Sequence, residues 1–126
     1  MRAIVTSPDS PGRLIVTDAA PPVAAPGIAV VRVKASTINR GETRLVPMRP
    51  NGWAPGQDLA GIVETAAPDG GPAAGTRVLG LADGGAWSEL VAVPVDPVPV
   101  SRRSWTSGCC VVLAVAESPM TLPCDC

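Results

Sequence analysis

Short β-branched runs, broken repeatedly by proline and glycine, restrict this chain more than any other feature. Fifteen prolines and thirteen glycines stand among its 126 residues. Between residues 1 and 100 the runs and turns recur at roughly the spacing of an all-β sandwich or barrel. "MRAIVTS" reads as a first strand and "GRLIVTDAA" as a second, with "PDSPG" between them a turn by composition. "GIAVVRVKASTIN" alternates Val31, Val33 and Ala35 against Arg32, Lys34 and Ser36, the period of a strand. "RGETRLVPMRPNGWAPGQ" reads as a loop with one short helical turn around Gly41–Leu45. "DLAGIVETAA" reads as a strand buried on both faces, and "PDGGPAAG" as a tight turn. "TRVLGLA" and "AWSELVAVP" are two further strands around "DGGA". Pro94, Pro97 and Pro99 forbid a regular central strand beyond that point.

The apolar fraction is 46%, yet tyrosine and phenylalanine are absent. Alanine, valine, leucine and isoleucine must fill the core, helped by Trp53, Trp87 and Trp105. The length fits one domain. Histidine is absent too, which excludes Ser-His-Asp and Cys-His catalysis and every histidine-bearing zinc site. Proton transfer would fall to Asp, Glu, Lys or a thiol. A net charge of -1 implies no basic face, so no nucleic-acid or anionic-membrane partner is expected. The apolar runs are too short for a spanning helix, and the N-terminus lacks a signal peptide's apolar core. A soluble cytoplasmic protein is the expectation.

The chain changes character near residue 100. All four cysteines, Cys109, Cys110, Cys124 and Cys126, fall in its last 18 residues, in "SRRSWTSGCCVVLAVAESPMTLPCDC". Adjacent thiols cannot easily point at one metal, and C-x-C is tighter than the spacing of structural zinc. Incidental reduced thiols are expected. "CCVVLAVA" fits a short strand or a helix. Two accounts of this atypical tail stay open. Either codons after about residue 100 of a GC-rich gene are read out of frame, as the composition shift and nine Arg against one Lys suggest, or the tail is natural.

"GIAVVRVKASTINRGETR", "PGQDLAGIVE" and "GTRVLGLADGGAWSELVAVP", read in order, resemble the N-terminal GroES-like domain of the medium-chain dehydrogenase/reductase superfamily. The resemblance covers about residues 1–100 and lies nearest the zinc-independent quinone oxidoreductase and enoyl reductase branch. It implies a mostly β fold, a partly open GroES-like barrel. In the zinc-dependent alcohol dehydrogenases the related segments carry zinc ligands, a Cys at the end of the third strand and a His after Pro-Gly. Here those positions hold Asn39 and Gln57, followed by Asp58. An amide is a poor zinc ligand beside thiolate or imidazole, so no zinc site is expected.

The resemblance further implies a cleft that faces nicotinamide and substrate, lined by Asn39, Glu42, Gln57 and Asp58. No catalytic acid or base is assigned there, because the cofactor carries the hydride chemistry. The expected reaction is NADP- or NAD-dependent reduction of a quinone, enone or other small carbonyl. Taken alone, the same residues read more plainly. Asn39 is a turn residue capping the loop after the strand, Glu42 a solvated surface acid, Asp58 a carboxylate bonding loop amides, and Gln57 a solvated amide. Trp53 and Trp87 read as core fillers.

In that family the cofactor lies between this domain and a following Rossmann domain. No two glycines here are separated by one residue, so G-x-G-x-x-G cannot occur. "GGPAAGTR" lacks the Lys-Ser/Thr of a P-loop and precedes a strand, so it reads as a turn. The chain alone is therefore expected to bind no cofactor and to be inactive, with a domain-docking face that favours self-association. The other reading is a stand-alone β-barrel interaction module or a remnant without function.

Overall fold

The computed structural model describes residues 1–95 and the two-residue strand Leu113–Ala114. Pro97, Pro99, Trp105, the four cysteines and the proposed boundary near residue 100 lie outside the described residues.

Two antiparallel strands open the chain, β1 (Arg2–Thr6) and β2 (Leu14–Asp18). The turn between them closes through one 3-10 turn at Pro11–Arg13. Gly12 and Arg13 both adopt positive φ there, at 72° and 61°. That conformation strains a residue with a Cβ. The Arg13 guanidinium compensates by donating to the carbonyls of Pro47 and Arg49 and to Asn51 Oδ1. The hairpin is thereby tied to a loop more than thirty residues later.

The main sheet contains β3 (Ile28–Ala35), β4 (Asp58–Thr65), β5 (Arg77–Leu81), β6 (Leu90–Pro94) and β7 (Leu113–Ala114), in the spatial order β6-β3-β4-β5-β7. Its pairings are all antiparallel. β1 reaches this sheet through an Ala3–Ser88 bridge and through bonds from Ile4 N–H to the Trp87 carbonyl and from Glu89 N–H to the Arg2 carbonyl. Among the described residues the two sheets do not close into a continuous barrel. Over these residues the fold is mostly β with one short helix, the partly open arrangement that the resemblance implies.

Small aliphatic side chains make the core: Ala29, Val31, Leu59, Val63, Val78, Ala82, Ala86, Val91 and Val93. β4 differs from its expected burial on both faces. Leu59, Gly61 and Val63 are buried, while Asp58, Ala60 and Ile62 on the opposite face are only half-buried. Gly61 is required by close approach rather than by a turn. A Cβ there would fall on the Arg32 carbonyl oxygen and within 2.6 Å of Val31 Cγ1. Trp53 and Trp87 are half-buried and stand outside this cluster, so neither is the core filler expected from composition. Trp53 instead carries the Arg49 guanidinium 5.1 Å over its ring, at cation–π distance.

Two register shifts interrupt the β3–β4 ladder, at Val30/Val31 and at Val33/Ala35. The second lies at the C-terminal end of β3. Bulges bend a strand and re-aim its side chains. Here the bend delivers Ser36–Asn39 to the mouth of β4.

Candidate functional site

Asn39 begins the helix α1 (Arg40–Leu45). Asn is a favoured N-cap because its side-chain oxygen can accept an otherwise orphaned helix N–H. Asn39 Oδ1 accepts the Glu42 backbone N–H at 2.9 Å, and Glu42 Oε2 accepts the Asn39 N–H at 3.0 Å. This reciprocal pair is a capping box, built with Asn in place of Ser or Thr. It holds a helix of only six residues, too short to be stable by propensity alone. The short helical turn expected at Gly41–Leu45 is this helix.

Glu42 departs from the reading of a solvated surface acid. Its relative exposure is 0%, and it is the largest fully buried side chain among the described residues. A buried carboxylate is costly unless hydrogen-bonded. Glu42 Oε1 takes the backbone N–H of Gln57 at 2.6 Å, while Oε2 holds Asn39. One acid therefore joins the start of α1 to the residue that precedes β4. The Gln57 carbonyl in turn accepts the Ala82 N–H at 2.5 Å, which extends the tie to the end of β5.

Asp58 is held from the other side. Its carboxylate accepts the Thr37 N–H at 3.2 Å and the Thr37 hydroxyl, and its carbonyl accepts the Ser36 hydroxyl at 2.7 Å. Trp87 closes the wall by donating its indole N–H to the Thr37 carbonyl at 3.0 Å. Gly56, with φ of 102°, lies so close to Trp87 that a Cβ there would meet the Trp87 ring and backbone.

The fold thus brings Asn39, Glu42, Gln57 and Asp58 together where β3 and β4 meet. It gives them different tasks. The carboxylates of Glu42 and Asp58 are spent on backbone N–H groups and the Thr37 hydroxyl. Two amide groups keep hydrogen-bonding capacity: Asn39 Nδ2, and the exposed side chain of Gln57. Ser36, Thr37 and Trp87 belong to the same constellation and were not expected from the sequence. Their only signal was the Ser-Thr pair at the end of β3, whose polar side chains suit a carboxylate across the ladder.

The donor set bears on metal chemistry. Amide groups occupy Asn39 and Gln57, and the neighbouring carboxylates are engaged with protein donors. Among the described residues no group of three or more His, Cys, Asp or Glu is placed to hold a metal ion. Also among them, no helix is long and apolar enough to cross a membrane.

No family model and no curated protein matches the chain by sequence. Solved structures do match. A "probable oxidoreductase" from Mycobacterium abscessus is 31% identical with a TM-score of 0.66, over 75% of this chain and 32% of that one. Mycobacterial Rv1454c, solved in complex with NADPH, is 25% identical with a TM-score of 0.66, over 75% and 32%. A quinone oxidoreductase of Pseudomonas syringae pv. Tomato DC3000 is 25% identical with a TM-score of 0.63, over 78% and 34%. The chain spans about a third of the length of the structures it matches.

Proposed function

We infer, from the fold the chain shares with these oxidoreductase structures, that it is the N-terminal GroES-like, substrate-side domain of an NADP(H)-dependent oxidoreductase of the medium-chain dehydrogenase/reductase superfamily. The reaction proposed is zinc-independent reduction of a quinone, enone or related small carbonyl. The observation that carries this reading is the Asn39–Glu42–Gln57 tie. A buried acid holds two amide-bearing residues side by side and leaves their side-chain amide groups able to bond a ligand.

An amide donor suits a carbonyl oxygen or a carboxamide, and it suits zinc poorly. A nicotinamide, when bound, supplies the hydride. The residues that would hold its carboxamide, or the substrate carbonyl, are Asn39 through Nδ2 and Gln57 through its exposed amide. Glu42 and Asp58 position the two segments that carry them. Hydrogen-bonding and water exclusion are then the protein's share of the work, and no side chain of the site need move a proton.

The pyrophosphate and adenosine of such a cofactor need a Gly-rich turn at a helix N-terminus. The described residues offer no such element, so the isolated chain is proposed to bind cofactor weakly or not at all. The face that would dock against a cofactor domain is proposed to self-associate when uncovered. A cytoplasmic location is part of the same proposal.

The test is a domain graft. Residues 1–95 replace the matching part of mycobacterial Rv1454c, the match solved with NADPH, and NADPH oxidation is followed with a small quinone. A folded graft with quinone-dependent turnover supports the reading. A graft that folds, binds NADPH and never reduces a quinone or enone overturns it.

A further inference from the structure

A recess beside the candidate site shares Ser36 and Trp87 with it and is lined by neither amide-bearing residue. The β1–β2 hairpin, the end of β3 and the Ala86–Glu89 segment border an open surface groove of about 630 Å³. That volume falls in the range of small-molecule sites. Ile4, Leu14, Val16, Val33, Ile38 and Trp87 supply most of its apolar wall. Val16 and Ile38 are 66% and 72% exposed, a large apolar surface left in water at one place.

The polar groups of the lining narrow the choice of ligand. Glu89 and Arg2 satisfy each other, through the Arg2 N–H at 2.8 Å and Nε at 3.2 Å. The Ser36 hydroxyl is given to the Asp58 carbonyl, the Ser88 hydroxyl to the Gly85 carbonyl, and the Trp87 indole to the Thr37 carbonyl. Only Lys34 is left. It forms no ion pair among the described residues, and the nearby carboxylate it influences, Glu64, is already paired with Arg32 at 2.6 Å. The groove therefore presents an apolar wall and one unspent cation.

We propose that this groove binds an amphipathic monoanion, a single carboxylate on an apolar chain or ring. The carboxylate sits at the Lys34 ammonium, and the apolar body lies against Val16, Ile38 and the Trp87 ring. A neutral lipid leaves Lys34 unused, and a polyanion meets the Glu89 carboxylate beside Arg2, with Lys34 the lining cation outside an ion pair among the described residues. The groove borders the candidate site through Ser36, Ile38 and Trp87, but its ligand contacts are argued from Lys34, Val16, Ile38 and the Trp87 ring, so the binding test reads it without turnover.

The test titrates the full chain, labelled with ¹⁵N, with decanoate and separately with 1-decanol. Saturable shifts confined to Lys34, Ile38, Val16 and the Trp87 indole N–H are expected with decanoate. Lys34→Met should weaken binding about tenfold, the scale of one charge-assisted hydrogen bond. Val16→Asp should weaken it at least as much, and Arg49→Gln, outside the groove, should leave it unchanged. Lys34 and Val16 are both exposed, so these variants are expected to fold, and the amide spectrum verifies it. Decanol binding as tightly as decanoate, indifference to Lys34→Met, shifts scattered over the surface, or no saturable binding would each overturn the proposal.

Discussion

Glu42 and Gln57, fifteen residues apart, are joined by one 2.6 Å hydrogen bond from the Gln57 backbone N–H to Glu42 Oε1. With the Asn39 N–H on its other oxygen, this buried acid fixes the distance between α1 and the start of β4. Glu42→Ala removes both acceptors and leaves a cavity. We expect a loss of about 3 kcal/mol in urea unfolding, the scale of stranded buried donors. A change below about 0.5 kcal/mol, the ordinary effect of a surface substitution, would mean that the carboxylate is not the tie described.

Asn39 has two separable tasks, and two substitutions divide them. Asn39→Ala deletes the cap and should cost about 1 kcal/mol. Asn39→Ser retains a neutral capping oxygen for the Glu42 N–H and places no second carboxylate beside buried Glu42, so stability should stay close to that of the parent. It also removes the Nδ2 donor. In a grafted reductase, Asn39→Ser should therefore lower kcat/KM by at least about tenfold, the worth of one directed donor.

Gly61 lies in a buried strand where the Arg32 carbonyl leaves no room for a methyl group. Gly61→Ala should destabilise by at least about 2 kcal/mol through forced separation of β3 and β4. Thermal unfolding reads this directly. Gly70→Ala makes a useful contrast: it meets no neighbour, and its cost should come only from its φ of 134°.

The Arg32–Glu64 pair sets a pH dependence whose sign is fixed. Arg32 donates two hydrogen bonds to the Glu64 carboxylate, which holds the Glu64 pKa below the ordinary glutamate value. A depressed folded-state pKa contributes stability above the unfolded value, and that contribution is lost as pH falls through the folded one. The pair is exposed, so the contribution is small and screened by salt. A ¹³C titration of the Glu64 carboxyl should show a midpoint below that of a free glutamate, moving up in Arg32→Met.

Much of this fold is legible in the residues. The strands at Arg2–Thr6, Ile28–Ala35 and Asp58–Thr65 follow from β-branched runs between turn residues, and the Asn39–Glu42 spacing of a capping box lies at the start of α1. The role of Glu42 was not legible. An acid flanked by Arg40 and Arg44 looks solvated, and its decisive partner is a backbone N–H, which has no sequence signature. Trp87 was misread for a related reason. Its indole serves the Thr37 carbonyl fifty residues away, a demand set by the crossing of segments rather than by local pattern. Burial of β4 on a single face likewise depends on what covers the sheet.

The most direct measurement of the central claim is NADPH oxidation with a small quinone by the grafted reductase, as the parent graft and as Asn39→Ser, each with and without a zinc chelator. The account predicts turnover by the parent that the chelator leaves unchanged, and a fall of at least about tenfold in Asn39→Ser with stability retained. Turnover abolished by the chelator, or indifferent to Asn39→Ser, would contradict it.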